Sequence, residues 1–199
     1  MIKKYILLSI LYMSYIVNQV TSKEDMRFIY IHEQMYDRSC GFSTISSLLD
    51  IYWNIDCSED VIIERYIEST DINTSDVTIS LADLSKILSD YHILNASFIM
   101  DFEQLQEALI KYIPVLVHYE SPENHFALVL DADNNAVVVL DPLQGMIILS
   151  YKYFMDRWSG VVLLSDSKQV MKNVDEINSA LNISNKKKQL FKKWLWGRK

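Results

Sequence analysis

One cysteine and one histidine in this sequence could together carry nucleophilic chemistry. Cys40 directly precedes a helical apolar pattern that begins near Gly41. A helix N-terminus has partial positive charge and free N–H groups, which stabilise a thiolate and lower the pKa of a cysteine. A thiolate also needs a base, and His125 stands at the start of a predicted strand. The alternatives are an inert buried thiol for Cys40 and an ordinary strand-edge histidine for His125.

Asp141 is positioned to orient His125, because it ends the next predicted strand along the chain. If the two strands form a hairpin in which Leu130 faces Ala136, then His125 faces Asp141 directly, with Cβ atoms about 5 Å apart. A carboxylate at that position fixes the tautomer of an imidazole. The pairing depends on the loop length, because one residue more or less would break it.

Gln34 is a candidate for oxyanion binding, because it lies six residues before Cys40. Its side-chain amide could donate a hydrogen bond to an oxyanion, with the Cys40 backbone N–H as the second donor. Considered alone, it would be an ordinary loop glutamine. Among the other histidines, His118 is central in an apolar strand, which favours a structural role, and His32 and His92 have no evident partner.

The sequence predicts neither a metal site nor a cofactor. The histidines lack the spacing of zinc ligands, and a chain with four glycines offers no glycine-rich phosphate loop. We also expect no disulfide between Cys40 and Cys57. A helix over residues 41–53 is about 20 Å long, and four further residues reach at most roughly 14 Å, whereas disulfide Cα atoms must come within about 7 Å. Cys57 is therefore expected to be a small buried side chain.

Composition and charge limit the class of protein. The chain has 199 residues, 50% of them hydrophobic, which supports one folded domain and excludes wholesale disorder. The net charge of −7 combines −14 over residues 1–185 with +7 over residues 186–199. An acidic body argues against a general nucleic-acid binder, so we expect no nucleic-acid partner.

The N-terminus has the layout of a secretory signal peptide. Lys3 and Lys4 precede an uncharged apolar run of 13 residues over positions 5–17, and small residues follow up to Ser22. The run is shorter than the about 20 residues of a membrane-spanning helix. We expect a signal peptide over residues 1–22 and a periplasmic or extracellular protein; an uncleaved anchor and a buried helix are the alternatives.

The C-terminal segment 186–199 is typical of a basic amphipathic helix. On a helix, Leu190, Phe191, Trp194 and Leu195 would share one face, with lysines opposite. Such helices bind anionic membrane surfaces, so contact with a membrane is one expectation. A tail folded over the acidic body of the protein is the alternative.

The remaining pattern predicts helices first and an antiparallel sheet afterwards. Apolar spacing predicts helices over 41–53, 59–68, 80–91, 101–112, 151–158 and 168–182, and strands over 93–100, 115–119, 126–130, 136–140, 146–149 and 161–164. This order is typical of an α+β domain with two lobes, and sites often lie where such lobes meet. We expect the domain over residues 23–166, followed by a C-terminal helix and basic tail over 167–199.

Together these residues resemble the motifs of the bacteriocin-processing peptidases, papain-like cysteine peptidases that act on double-glycine leaders. The similar segments are the stretch from Gln34 to Phe42 with its Gln-x5-Cys-Gly pattern, the histidine strand 125–130, Asp141-Pro142 followed by Gly145, and Trp158-Ser159-Gly160 with the strand after it. The likeness runs from about residue 29 to 165.

The resemblance implies a papain-like fold, with Cys40 on an N-terminal helical lobe and His125 and Asp141 on a C-terminal antiparallel sheet lobe. It implies Cys40 as nucleophile, His125 as general base and then acid, Asp141 as the residue that orients it, and Gln34 in the oxyanion hole. It implies no cofactor or metal. The family usually has Asp directly before the cysteine, and Ser39 here puts the hydrogen bonding of that loop in question.

The resemblance, taken together with the signal-peptide pattern of residues 1–22, predicts an exported cysteine peptidase that acts on a peptide or protein after small residues such as Gly-Gly. Familiar members of the family are domains of peptide-exporting transporters that face the cytoplasm, whereas this chain is expected to be a standalone exported protein. Two alternatives are another acyl transfer on the same residues, such as amidase or transpeptidase chemistry, and a non-catalytic peptide-binding module. The joint presence of Cys40, His125 and Asp141 argues against the binding module.

Overall fold

The computed structural model describes residues 25–70 and 79–196. The predicted signal peptide over residues 1–22 lies outside this part of the chain. Within it, six strands form one antiparallel sheet, and helices pack against both of its faces. The predicted α+β class is confirmed.

Three of the six α-helices of the described residues precede the first strand. The helices are α1 (Cys40–Ser47, extended by a π-helical turn, Leu48–Tyr52), α2 (Glu59–Thr70), α3 (Leu81–Asp90), α4 (Phe102–Lys111), α5 (Tyr151–Met155) and α6 (Val174–Trp196). The strands are β1 (Leu94–Ile99), β2 (Val115–Tyr119), β3 (His125–Ala132), β4 (Ala136–Asp141), β5 (Gly145–Ser150) and β6 (Trp158–Asp166).

Local capping fixes where two of these helices begin. The Ser80 hydroxyl accepts the Asp83 N–H at 3.2 Å, and the Asp83 carboxylate accepts the Ser80 N–H at 3.0 Å, so α3 begins after Ser80. Asp101 and Gln104 form the same reciprocal pair at the start of α4, both at 2.9 Å. Each pair satisfies N–H groups that a helix terminus leaves without a partner.

The sheet is buried on both faces at its centre, where its strands run in the order β1-β6-β2-β3-β4-β5. In β2, Leu116 packs among α1, α2 and α3 on one face, whereas Val115 and Val117 pack against α4 and α5 on the other. This alternation follows from the two-residue period of a strand. Full burial of each such side chain contributes about 1.5–3 kcal/mol to folding. The buried sheet therefore holds in place the residues at the ends of its strands.

The β3–β4 hairpin does not have the predicted register. β3 continues to Ala132, and a bulge near Leu130 shifts the pairing, so the predicted pairing of Leu130 with Ala136 is wrong. The reason is a tight turn in which Asp133 and Ala136 exchange backbone hydrogen bonds of 2.9 and 3.2 Å. The hairpin loop is therefore only residues 133–135 long.

The C-terminal segment is one continuous helix rather than a helix over 168–182 followed by a separate tail. Lysines of α6 bind the acidic turn of the β3–β4 hairpin: Lys188 forms ion pairs with Asp131 and Asp133, and Lys192 pairs with Asp133 at 3.1 Å. The Lys187 ammonium donates to a backbone carbonyl of β5 at 3.2 Å. In the described residues the basic segment thus folds over the acidic body, which is the alternative that the charge asymmetry left open.

Some side chains of the predicted apolar face of this helix are exposed to solvent, and another packs against the protein. Leu190 and Trp194 are 66% and 53% exposed, whereas Phe191 is partly buried, so the three do not form one outward face. Phe191 stacks with Trp194 at 6.3 Å between ring centroids. In the part of the chain that the structure describes, no helix is long and apolar enough to cross a membrane.

Candidate active site

Cys40 is the first residue of α1, and close packing of this helix sets its position. A Cβ atom on Gly41 would collide with the side chain of Ile79 and lie 3.1 Å from the ring of Phe126, so only glycine allows this approach. Thr44, one turn further along α1, donates its hydroxyl to the carbonyl of Phe126 at 3.2 Å. These contacts hold the start of α1 against β3, where His125 lies.

The Cys40 thiol and the His125 imidazole line the same cleft at this junction, and each shifts the pKa of the other. Burial of the Cys40 thiol opposes its ionisation, but the hydrogen bond and charge of His125 outweigh the burial. The backbone N–H groups of Phe126 and Gly41 act in the same direction, and the pKa of Cys40 is lowered from its ordinary value. The predicted helix N-terminal position of the cysteine is confirmed, and the imidazole adds to its effect.

Asp141 holds the other side of the imidazole. His125 Nε2 lies 3.1 Å from Asp141 Oδ2, which leaves Nδ1 for the thiol. Asp141 is 3% exposed, and its Oδ1 accepts the Leu143 N–H at 2.8 Å. Burial of His125 opposes its protonation, but the hydrogen bonds to Asp141 and Cys40 outweigh burial and raise the pKa of His125 to about 9. The two shifts together favour a thiolate beside an imidazolium.

His125 and Asp141 meet diagonally rather than directly across the hairpin. Leu128 faces Leu140, so extending the register by one residue puts Asp141 opposite Ala127. The predicted direct pairing of His125 with Asp141 is therefore wrong. The predicted and observed registers differ by two residues, and an even shift keeps the carboxylate on the same face of the sheet as the imidazole. Diagonal neighbours are within reach of such side chains.

Gln34 reaches the site but donates elsewhere. Its side chain lines the cleft beside Cys40, while its Nε2 donates to the carbonyl of Tyr36 at 2.9 Å. Its Oε1 is buried and has no hydrogen-bond partner among the described residues. The backbone N–H of Gln34 donates to the carbonyl of Pro142 at 2.9 Å, which ties the loop before Cys40 to the residue after Asp141. Of the two Nε2 hydrogens, one is thus engaged, and the oxyanion role of Gln34 stays a prediction.

The loop between Gln34 and Cys40 is closed by Ser39 and by a residue that the sequence did not point to. The Ser39 hydroxyl donates to the Tyr36 carbonyl at 2.7 Å, so Ser39 provides a hydrogen bond within this loop although the usual aspartate is missing. Glu59, at the start of α2, is buried, and its carboxylate accepts the Met35 N–H at 3.1 Å. Burial raises the pKa of Glu59. Its distance in sequence from Met35 explains why spacing alone did not reveal this contact.

Two other histidines, His118 and His32, have side-chain partners. His118 lies in β2 beside the cleft, and its Nδ1 is 3.1 Å from the Ser159 hydroxyl. Burial lowers the pKa of His118, which favours the neutral ring and agrees with the structural role expected for it. His32 does have partners, contrary to expectation: Ser46 at 3.0 Å and Asp50 at 3.0 Å. These two residues are four apart in sequence, so they share one side of the helical segment.

Both cysteines are free, and their environments differ. Cys57 is buried as predicted, and its sulfur lies 3.1 Å from the Tyr91 hydroxyl. Burial raises the pKa of Cys57, whereas that of Cys40 is lowered. Among the described residues, no group of His, Cys, Asp and Glu side chains is arranged to hold a metal ion.

Comparison with known protein families identifies the group to which this arrangement belongs. The model of the peptidase C39 family matches residues 29–170, more than half of the chain. The chain belongs to the peptidase C39 family. The resemblance to double-glycine leader peptidases drawn from the sequence is confirmed, and the chain is a member of a family of cysteine peptidases.

Individual relatives are distant in sequence, and two solved structures among them share the fold. The probable functional amyloid protease FapD of Pseudomonas fluorescens is 28% identical over 152 residues, which are 74% of this chain and 65% of the length of that relative. The peptidase domain of the Streptococcus transporter ComA is 17% identical with a TM-score of 0.58, over 70% of this chain and 98% of that one. A double-glycine-motif protease from an AMS/PCAT transporter, solved with its leader peptide, is 15% identical with a TM-score of 0.53, over 69% and 91%. The predicted papain-like fold is confirmed.

In this C39 domain the cleft lies between helices and sheet, as expected for a two-lobed fold. It has a volume of about 870 Å³. The helical side contributes Arg38, Cys40 and Leu81, and the sheet side contributes His118 and His125. A peptide in this cleft would pass the thiol and the imidazole together, which is the arrangement that acyl transfer through a thioester requires.

Proposed function

We propose that this protein is an exported cysteine peptidase that hydrolyses a peptide or protein substrate after small residues. The proposal assigns Cys40 as the nucleophile, His125 as the general base and acid, and Asp141 as the residue that orients His125. The observation that carries it is that Cys40 and His125 line the same cleft, where His125 lowers the pKa of the thiol and is itself bound by Asp141 at 3.1 Å. Membership of the C39 family supports the same assignment.

The geometry leads to a two-stage reaction. The Cys40 thiolate attacks the carbonyl carbon of the scissile bond, and the oxyanion that forms accepts hydrogen bonds from the Cys40 backbone N–H and the free Nε2 hydrogen of Gln34. The His125 imidazolium gives its proton to the leaving amine, and a thioester forms on Cys40. His125 then takes a proton from water, which attacks the thioester and releases the acid.

Asp141 acts by holding the imidazole rather than by moving a proton. Its Oδ1 is bound by the Leu143 N–H and its Oδ2 by His125, so the carboxylate is fixed on both oxygens. A fixed carboxylate stabilises the imidazolium and keeps Nδ1 directed at the thiol. This supports an active thiol over a non-catalytic binding module, which has no need of a raised histidine pKa.

The preference for small residues and the export of the protein rest on different observations. The transporter relative described as a double-glycine-motif protease supports cleavage after Gly-Gly, and the relative named as a functional amyloid protease supports a protein substrate. Export is supported by the sequence of residues 1–22, with its two lysines and apolar run. Outside the cytoplasm a reactive thiol is open to oxidation, so we expect activity to need reducing conditions.

We also propose contact of the basic segment with a membrane surface, but with fewer of its residues than the sequence suggested. Lys188 and Lys192 are engaged by carboxylates of the β3–β4 turn. The exposed side chains of Leu190 and Trp194, with the exposed Lys186 and Lys193, are the groups that would meet anionic lipid.

Cleavage of a peptide library tests the proposed function. The mature protein is incubated with a proteome-derived library under reducing conditions, and new peptide ends are identified by mass spectrometry. We expect new ends that follow small residues, with Gly-Gly enriched, and none with Cys40→Ala. The matched control is Cys57→Ala, which removes the other cysteine at a distance from the cleft and should cleave like the wild type. New ends of the same kind with Cys40→Ala would refute the assignment.

A further inference from the structure

A second cavity adjoins the cleft on the Asp141 side of His125. It has a volume of about 310 Å³, against about 870 Å³ for the cleft. The residues that line both are Glu123, Asn124, His125 and Leu143. The two cavities are therefore neighbouring parts of one groove that runs past His125.

Arg157 brings positive charge into this second cavity. It follows α5, and its guanidinium carbon lies 3.6 Å from the centroid of the Tyr153 ring. Its backbone is fixed as well, because its carbonyl accepts the Glu120 N–H at 2.9 Å and its N–H donates to Phe154 at 3.1 Å. No carboxylate among the described residues forms an ion pair with Arg157. The guanidinium is thus held in place with its hydrogen-bond donors available.

The other charged groups of the cavity do not neutralise Arg157. Asp141 is buried, and its oxygens are bound by His125 and the Leu143 N–H, so its charge is balanced within the site. Glu123 is exposed at the rim, where water screens it. Tyr119 also lines the cavity, and its buried hydroxyl has no hydrogen-bond partner among the described residues.

The chemistry of the proposed function decides which part of a substrate reaches this cavity. The acyl part is bonded to Cys40, and the leaving amine receives its proton from His125. Residues after the scissile bond therefore extend past His125, and the cavity with Arg157 begins there. A guanidinium binds a carboxylate through two parallel hydrogen bonds, which makes a carboxylate the matching ligand.

We propose that this cavity is a subsite for a carboxylate on the leaving side of the scissile bond, and that Arg157 selects it. The inference rests on the proposed peptidase function. The carboxylate belongs either to an acidic side chain shortly after the cleavage site or to the C-terminus of a short leaving peptide. Both sources present the same group to Arg157.

Paired peptides test this subsite. Each pair shares a cleaved sequence and differs only in Asp or Asn after the scissile bond; a second set has a free or an amidated C-terminus, which separates the two sources. We expect wild-type kcat/KM to favour the carboxylate of one set by about tenfold or more, because hydrogen bonds between charged groups are the strong ones. With Arg157→Gln the ratio should fall to near one. Lys152→Gln, which removes an exposed positive charge from α5 outside the cavity, should keep the wild-type ratio.

A binding measurement separates failure of the subsite from failure of the peptidase proposal. The same pairs are titrated into the Cys40→Ala variant, with and without Arg157→Gln, and affinities are measured by calorimetry. Tighter binding of the acidic peptide that depends on Arg157 supports the subsite even if no peptide is cleaved. Equal affinity for both members of every pair, or a preference that survives Arg157→Gln, overturns it even if cleavage is observed.

Discussion

Replacing Asp141 by Asn should weaken the ion pair between Cys40 and His125 by a measurable amount. Asparagine keeps the size of the side chain and can still bind the imidazole, but it removes the charge that stabilises the imidazolium. A hydrogen bond to a charged group contributes about 1.5–3 kcal/mol. At about 1.4 kcal/mol per pKa unit, the pKa of His125 should fall by roughly one to two units from its value of about 9.

The same change should raise the pKa of Cys40. The thiolate is favoured by the charge of His125, so an imidazole that is less often protonated stabilises it less. The alkylation rate of a cysteine follows its thiolate fraction. The pH at which alkylation of Cys40 is half-maximal should therefore shift upward in Asp141→Asn, by about one unit or more if most of the loss is passed on.

The assay is alkylation by iodoacetamide between pH 4 and 10, followed by intact-protein mass spectrometry. Asp156→Asn is the matched control, because Asp156 is exposed and lies outside the two cavities. It should leave the midpoint at the wild-type pH. An unchanged midpoint in folded Asp141→Asn would show that the Asp141 carboxylate does not support the thiolate.

Two further perturbations test the packing that positions the site. Gly41→Ala should destabilise the protein by about 1–3 kcal/mol and slow alkylation of Cys40, because the added methyl group meets Ile79. Lys188→Met should lower the free energy of unfolding in urea at pH 7, and most of that loss should disappear near pH 2. The pH dependence follows from Asp133. Burial opposes the ionisation of Asp133, but its hydrogen bonds and the nearby lysines outweigh the burial and lower its pKa from 3.8 to about 2. The ion pairs of Asp133 therefore stabilise the fold above pH 4, and this stabilisation is lost as the pH falls through 2.

Each of these has a result that would count against it. Wild-type stability and alkylation rate in Gly41→Ala would mean that α1 can shift without cost. An equal loss of stability at pH 7 and pH 2 in Lys188→Met would mean that packing of the lysine stem, and not its ion pairs, holds α6. Lys186→Met is the control for the second case, because Lys186 is exposed on the same helix.

The sequence predicted the contact between His125 and Asp141 for a reason that is only partly correct. The assumed hairpin loop was too long, because nothing in the local pattern revealed that Asp133 closes a tight turn. The contact exists because the error in register was even, which preserves the face of the sheet. Pattern alone thus placed the residues on one surface, whereas the turn decided their offset.

Long-range contacts of charged groups were the part that spacing did not predict. Glu59 binds the loop before Cys40 from another helix, and Arg157 lines the same cavity as His125 although 32 positions separate them in the sequence. The basic segment was identified by composition, but its docking on Asp131 and Asp133 depends on the path of α6 across the sheet. Such contacts follow from tertiary packing, which a one-dimensional pattern does not contain.

Alkylation near pH 6 tests most directly whether Cys40 is a thiolate supported by His125. Intact-protein mass spectrometry during an iodoacetamide titration compares the wild type with His125→Ala, and Cys57 serves as an internal reference because burial raises its pKa. We expect rapid modification of Cys40, slow modification of Cys57, and a rate at Cys40 that falls about tenfold or more in His125→Ala, because the cysteine loses a charged partner. Slow modification of Cys40 at the same rate in both proteins would contradict this expectation.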